Sequence, residues 1–201
     1  MIVTISNLYG AGAVAVAQRV AAALHYELID RQLPVVVAKR MQITTVQAEA
    51  VDETGRSLGA RLLSSLELAT PEVAVSNFAA TFDEEYVHEV QAAVREFAAR
   101  GNVVIVGRAA GAILGRDPGV LRVFMYAPRD WRIDRVAREF GLDAKAATAE
   151  VDRIDKARRA HLRDWYGVEI GSPAIVDLAL DVATFGEERA AEIIVTAAEK
   201  R

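Results

Sequence analysis

Apolar residues along this 201-residue chain occur in two patterns, short continuous runs and helical spacings. Continuous runs rich in β-branched residues are typical of strands buried on both faces of a sheet. They predict strands at residues 2–5, 26–29, 103–106, 121–126 and 175–182. Helical spacing predicts helices over residues 14–24, about 34–41, 81–100, 129–140, 143–165 and 187–200. The start at residue 81 rests on the capping-box pattern of Thr81 and Glu84. Residues 43–80, broken by glycine and proline, predict short helices and a mobile loop.

Strands that alternate with helices predict an α/β fold with a parallel sheet and right-handed crossovers. In such sheets ligands bind beyond the carboxyl ends of the strands. Three groups of polar or glycine residues fall there: the loop at residues 6–12, Asp30 with Arg31, and Gly107 with Arg108. The sequence therefore predicts a binding site at this edge of the sheet.

The composition limits the classes of function. Apolar residues make up 52% and charged residues 26%, which is typical of one globular domain over residues 1–201. The net charge of −4 argues against nucleic acid or an anionic membrane as a partner. There is no cysteine, and the three histidines are scattered, so we predict no metal site. The first 18 residues carry no charge, so the basic region of a signal peptide is missing. No apolar run is long enough to span a membrane, and we therefore expect a cytoplasmic protein.

The glycine loop allows two functional interpretations and a structural one. Gly10, Gly12 and Ala15 match the dinucleotide fingerprint, with Asp30 as the ribose-binding acid. The longer spacer before Gly10 favours instead a mononucleotide phosphate loop, in which backbone N–H groups approach a phosphate at a helix N-terminus. The structural alternative is a tight turn with small residues for helix–strand packing.

The order of several short segments resembles the cytidylate kinase-like family, a branch of the P-loop nucleoside monophosphate kinases. The resemblance covers nearly the whole chain. It rests on Tyr9-Gly10-Ala11-Gly12, Tyr26-Glu27-Leu28-Ile29-Asp30-Arg31, Val104-Ile105-Val106-Gly107-Arg108, Arg122-Val123-Phe124-Met125-Tyr126-Ala127-Pro128 with Arg132, Ile154-Asp155-Lys156-Ala157-Arg158 and Asp177-Leu178.

The resemblance implies a three-layer sandwich with a five-stranded parallel sheet in the order 2-3-1-4-5, helices on both faces and a helical lid. Residues 31–82 would form a helical acceptor-binding region, and residues about 143–165 the lid. It also implies ATP as donor, Mg²⁺ if the protein is active, and a CMP-like acceptor. The donor phosphates would lie on a loop formed by Tyr9, Gly10, Ala11, Gly12, Ala13, Val14 and Ala15. The acceptor would contact Asp30, Arg31 and Arg108, and the catalytic residues would be Arg132, Asp155 and Arg158.

The chain departs from the family pattern where the chemistry is concentrated. Ala13, Val14 and Ala15 replace the lysine and hydroxyl of an ordinary phosphate loop. Asn7-Leu8 stands where the family tends to carry Arg-Glu, and Ala109 where cytidylate kinases have a base-reading aspartate. Val151 replaces the first arginine of the lid pattern.

Three functions stay open at this point. The first is a nucleotide kinase that uses lid arginines in place of the loop lysine. The second is a non-catalytic relative that binds a nucleotide or another protein, with a homo-oligomer also open. The third is a dinucleotide-binding protein. The individual charges also have structural interpretations, since Arg108 could pair with a surface carboxylate and Asp155 with Arg158 or Arg159 as ordinary helix neighbours.

Overall fold

A parallel sheet lies at the centre of the computed structural model, which describes residues 1–30, 32–45, 48 and 72–201. Its strands are β1 (Ile2–Asn7), β2 (Glu27–Ile29), β3 (Val103–Val106), β4 (Val120–Tyr126) and β5 (Leu178–Asp181). The strand order is β2-β3-β1-β4-β5, and every neighbouring pair is parallel. The predicted order is therefore confirmed, with the strand that precedes the glycine loop in the middle.

Seven helices connect and cover the strands within the described ranges. They are α1 (Ala13–Leu24), α2 (Gln32–Met41), α3 (Glu72–Ala99), α4 (Ala110–Leu114), α5 (Arg129–Phe140), α6 (Ala144–Tyr166) and α7 (Val182–Glu199). None of the described helices is long and apolar enough to cross a bilayer.

Alternating side chains of the strands face two separate apolar layers. Val104 and Val106 of β3 pack into a core built with α1 and α7. Val103 and Ile105, their neighbours, pack into a second core built with α2 and α3. All four side chains are buried, as the uninterrupted β-branched run predicts for a strand covered on both faces. This alternation produces the three-layer arrangement.

Several predicted boundaries are wrong. Helix α3 begins at Glu72, so Thr81 lies inside a helix and the capping box does not start one. Short helices and a mobile loop are expected over residues 43–80, but residues 72–80 belong to this long helix; residues 46–47 and 49–71 lie outside the described residues. Helix α4 was not predicted, and β5 is shorter than the expected 175–182. The last helix begins at Val182 and is broken at Gly186.

An ion pair with a buried arginine joins β4 to the segment before β5, near the amino-terminal ends of the strands. The Arg122 side chain is 2% exposed and donates to both carboxylate oxygens of Asp177, with Nε–Oδ2 at 3.0 Å and Nη2–Oδ1 at 2.6 Å. Arg122 Nη1 also donates to the carbonyl of Ala174 at 2.8 Å. Since the glycine loop follows the opposite ends of the strands, this pair belongs to the scaffold.

Candidate functional site

The glycine loop leads from the central strand β1 into α1 and is fixed at both ends. The Leu8 N–H donates to the Met125 carbonyl of β4 at 3.1 Å, and the Ala11 N–H closes a turn on the Leu8 carbonyl at 3.1 Å. Gly10 has φ of 82°, and a Cβ there would lie 3.0 Å from both the Arg132 carbonyl oxygen and Val136 Cγ2. A side chain at position 10 would therefore be strained and would collide with α5, against which the loop packs.

The first turn of α1 presents unpaired backbone donors at this loop. Gly12, with φ of 72°, is the residue before the helix, and its carbonyl accepts the Val16 N–H at 3.3 Å. The N–H groups of Gly12, Ala13, Val14 and Ala15 meet no acceptor among the described residues. Adjacent N–H groups that point out of a helix N-terminus, with the helix dipole behind them, favour an anion such as phosphate.

A buried ion pair lies directly beneath the loop. Arg132 of α5 and Asp155 of α6 are joined at 2.8 Å between Nη1 and Oδ2, and both side chains are at most 5% exposed. The other Asp155 oxygen accepts the Tyr9 N–H at 2.9 Å. Arg132 donates to the Tyr9 carbonyl at 2.9 Å and to the Ala127 carbonyl at 3.1 Å. Two helices thus hold both backbone polar groups of one loop residue.

Arg158, the third predicted catalytic residue, also contacts the loop. Its Nη1 donates to the Asn7 carbonyl at 3.0 Å, and its guanidinium lies 5.7 Å from the centre of the Tyr9 ring. Arg153, on the same helix, instead pairs with Glu150 at 2.7 Å. The structure therefore brings Arg132, Asp155 and Arg158 together around the glycine loop.

Residues 13–15, where the loop enters α1, supply neither a cation nor a hydroxyl. The Ala13 side chain is 4% exposed and packs in the core beneath α1, whereas Val14 is 43% exposed. In the described part of the chain, no group of three or more acidic or histidine side chains could hold a metal ion. The backbone donors of the loop fit an anion such as a polyphosphate.

Sequence analysis missed two charged residues at this loop, Arg135 of α5 and Glu187 of α7. Arg135 Nη2 lies 2.5 Å from Glu187 Oε1. A Cβ at Gly12 would lie 2.9 Å from Arg135 Nη1 and 2.6 Å from Glu187 Oε1, so both charged ends lie over the start of α1. Arg135 belongs to a series of arginines spaced three apart on α5, but no sequence signal pairs it with a residue 52 positions later.

The predicted acceptor residues follow β2 and β3, the two strands on one side of β1. Ile29 of β2 is paired with Ile105 of β3, and the Gly107 N–H donates to the Ile5 carbonyl of β1 at 2.9 Å. Asp30 and Arg108 therefore follow neighbouring strands at the edge that carries the glycine loop. Arg31 lies outside the described residues.

Arg108 adopts a backbone conformation that is rare for a side-chain-bearing residue. Its φ is 56°, and that of Ala109 is 53°. Left-handed conformations of such residues cost energy and cluster at functional sites. The loop after β3 thus holds two consecutive residues in left-handed conformations, at the edge of the sheet that carries the glycine loop.

Helix α6 places His161 near Arg108 and packs Tyr166 against His161, and sequence analysis assigned neither residue to the site. Burial lowers the pKa of His161, and the nearby Arg108 guanidinium lowers it further. The His161 and Tyr166 rings are 5.7 Å apart, and burial raises the pKa of Tyr166. Helix α6 therefore places an imidazole whose neutral form is favoured near Arg108, with a phenol packed against it.

This sheet order, with a glycine loop leading from the central strand into a helix, defines a P-loop kinase fold. The family model described as the cytidylate kinase-like family matches residues 2–184, and the chain belongs to that family. A cytidylate kinase of Methanopyrus kandleri is 24% identical over 98% of this chain and 92% of its own length. A cytidylate kinase of Ignicoccus hospitalis is 31% identical over 68% of this chain and 83% of its own length.

Solved structures support the same fold. An uncharacterized protein from Eubacterium ventriosum has a TM-score of 0.69 at 19% identity, over 100% of this chain and 99% of its own. Shikimate kinase from Acinetobacter baumannii, in complex with shikimate, has a TM-score of 0.54 at 12% identity, over 99% of this chain and 93% of its own. The dinucleotide-binding interpretation fits less well, because that fold places the second strand beside the first and here β3 lies between them.

Proposed function

We propose that this chain binds ATP at the glycine loop and a CMP-like nucleotide at the acceptor side, and that it transfers the phosphoryl group slowly. The observation that carries the proposal is the group of four unpaired N–H donors at residues 12–15, with the Arg135 guanidinium near Gly12 and the Arg158 guanidinium at the Asn7 end of the same loop. A triphosphate fits this combination of oriented dipoles and cations.

The residues around the loop would divide the work. The N–H groups of residues 12–15 would bind donor phosphates, and Asp30, Arg31 and Arg108 would bind the acceptor. Arg132 and Asp155 are positioning residues in this account, because their hydrogen bonds hold the backbone of Tyr9 and their side chains are buried. Arg158, on the helix proposed as the lid, would bring positive charge to the transferring phosphoryl group.

The slow rate follows from the alanine and valine at residues 13 and 14. Phosphoryl transfer depends on positioning and on charges that are stronger in the transition state than in the ground state. Backbone dipoles bind an anion but do not follow the moving charge, and no loop ammonium is present to do so. Loss of such a group is typically worth several kcal/mol, and every ~1.4 kcal/mol reduces the rate tenfold.

The test is a coupled ATP/CMP phosphotransfer assay beside an active cytidylate kinase. We expect turnover at least ~100-fold below that control, a difference of about 2.7 kcal/mol in transition-state stabilisation. Arg158→Ala is expected to abolish the remaining turnover. Arg163→Ala is the matched control, because Arg163 is an exposed arginine of the same helix that pairs with Asp164. Turnover within tenfold of the active enzyme would contradict the weak-loop argument.

A second candidate function is nucleotide binding without transfer. The same apolar residues 13 and 14 favour it, since they leave the anion-binding backbone but remove the catalytic cation. Calorimetric titration with ATP and CMP distinguishes the two candidates: binding of both nucleotides with no turnover above buffer supports the non-catalytic relative. Binding of neither nucleotide would contradict both.

A further inference from the structure

A carboxylate of the protein itself, that of Glu187, lies beside the glycine loop. Glu187 Oε1 lies where it would be 2.6 Å from a Cβ at Gly12, directly over the first residue of the unpaired donors. Arg135 Nη2 lies 2.5 Å from the same oxygen. The Glu187 carboxylate oxygen therefore lies beside two groups that would attract a donor phosphate, Gly12 at the start of α1 and the Arg135 guanidinium.

A backbone break places Glu187 there. Gly186 has φ of 72° and ψ of 167°, a conformation essentially restricted to glycine, and it interrupts α7. A Cβ at Gly186 would meet nothing within 4 Å, so packing does not require glycine at this position. The left-handed conformation itself requires glycine at residue 186. This conformation sets the direction in which the Glu187 side chain points from α7.

The contact is close but poorly directed. Glu187 Oε1 is a buried oxygen that accepts no hydrogen bond from the described residues, although Arg135 lies beside it. The Arg135 guanidinium also lies 5.6 Å from the Trp131 ring, so its position is supported from α5 without Glu187. A phosphate oxygen able to accept from Arg135 and from the α1 N–H groups would use donors that the carboxylate leaves unused.

We propose that Glu187 is an internal competitor of the donor polyphosphate, an autoinhibitory contact that must open before the loop is occupied. The proposal rests on the proposed function insofar as it takes this loop as the donor site. When a polyphosphate enters, the carboxylate leaves the start of α1 and Arg135 changes partner from Glu187 to the phosphate. The strength of this contact would set the affinity for the donor.

The experiment titrates the protein with inorganic tripolyphosphate at fixed ionic strength, by calorimetry. Glu187→Gln is expected to bind about tenfold more tightly than the unmodified protein, because the competing charge is gone while the shape is kept. The matched control is Glu188→Gln, which removes the same charge one residue later. Glu188 is 80% exposed and pairs with Arg19 at 3.5 Å, so we expect its substitution to change the affinity less than twofold.

A double variant tests whether Arg135 binds the tripolyphosphate once Glu187 no longer pairs with it. Adding Arg135→Gln to Glu187→Gln is expected to remove most of the tenfold gain. Equal affinities of Glu187→Gln and Glu188→Gln would overturn the proposal, and so would the absence of tripolyphosphate binding in every variant. A gain in Glu187→Gln without any ATP/CMP turnover would support the competitor and contradict the kinase activity. ATP/CMP turnover without any change of affinity in Glu187→Gln would support the kinase activity and contradict the competitor.

Discussion

Two arginine–aspartate pairs, each with a buried arginine, lie at opposite ends of the same sheet, and their surroundings differ more than their chemistry. Arg132 and Asp155 bind both backbone polar groups of Tyr9 in the glycine loop. Arg122 and Asp177 bind the backbone of the scaffold around β4 and β5. A buried arginine paired with an aspartate therefore does not by itself mark a functional site. What distinguishes the first pair is that it holds a loop whose neighbouring N–H groups are unpaired.

The largest expected effect is that of Asp155→Ala. It would leave the Arg132 guanidinium buried without its carboxylate, which typically costs about 3–5 kcal/mol of unfolding free energy. It would also remove the acceptor of the Tyr9 N–H, so we expect ATP to bind at least tenfold more weakly. Chemical denaturation and calorimetry measure the two effects.

The control for that variant is Asp155→Asn, which keeps a hydrogen-bond acceptor and is expected to lose less stability. If the folded Asp155 variants bound ATP as well as the unmodified protein, the pair would be a scaffold element like the one at the other end of the sheet.

Asp177→Ala is expected to destabilise the protein by a smaller amount, about 2–3 kcal/mol. The Asp177 side chain is 22% exposed, so water can replace part of what Arg122 loses. ATP affinity of the folded protein is expected to stay within twofold, because the pair is at the far end of the sheet from the loop. A tenfold loss of affinity would mean that the two ends are coupled and would break the distinction between the pairs.

Acid dependence is the smallest expected difference. Hydrogen bonds from Arg122 hold the pKa of Asp177 well below its usual range. Because the folded-state pKa is the lower one, the stabilisation is complete above the unfolded value of about 4 and is lost as the pH falls below it. We expect the Tm to fall between pH 5 and pH 3, and to fall less in Asp177→Asn. Identical pH profiles for the two proteins would contradict this assignment.

The sequence predicted the scaffold better than the site. Uninterrupted runs such as residues 103–106 identify buried strands because burial on both faces leaves no room for polar residues. The strand order came from the resemblance. The start of α3 was missed because the helix extends nine residues before the capping pattern at Thr81. A capping pattern at one position does not show whether the helix has already begun at an earlier residue.

The charges over the loop were beyond sequence analysis for a different reason. Arg135 and Glu187 meet only because α5 and α7 both pack beside the start of α1 and because Gly186 adopts a left-handed conformation. A glycine inside a helical pattern does not predict in which direction the next side chain points. Arg132, Asp155 and Arg158 were identified by their match to a family segment, and the contacts that separate positioning from substrate binding required the fold.

The central claim is that donor phosphates bind the N–H groups at the start of α1, and NMR of the ¹⁵N-labelled protein tests it most directly. On addition of ATP, we predict that the amide signals of Gly12, Ala13, Val14 and Ala15 shift first and most. The amide of Gly119 is the reference, since it donates to Asp117 at 2.7 Å just before β4, at the other end of the sheet. Large shifts at Gly119 with unchanged signals at residues 12–15 would contradict the account.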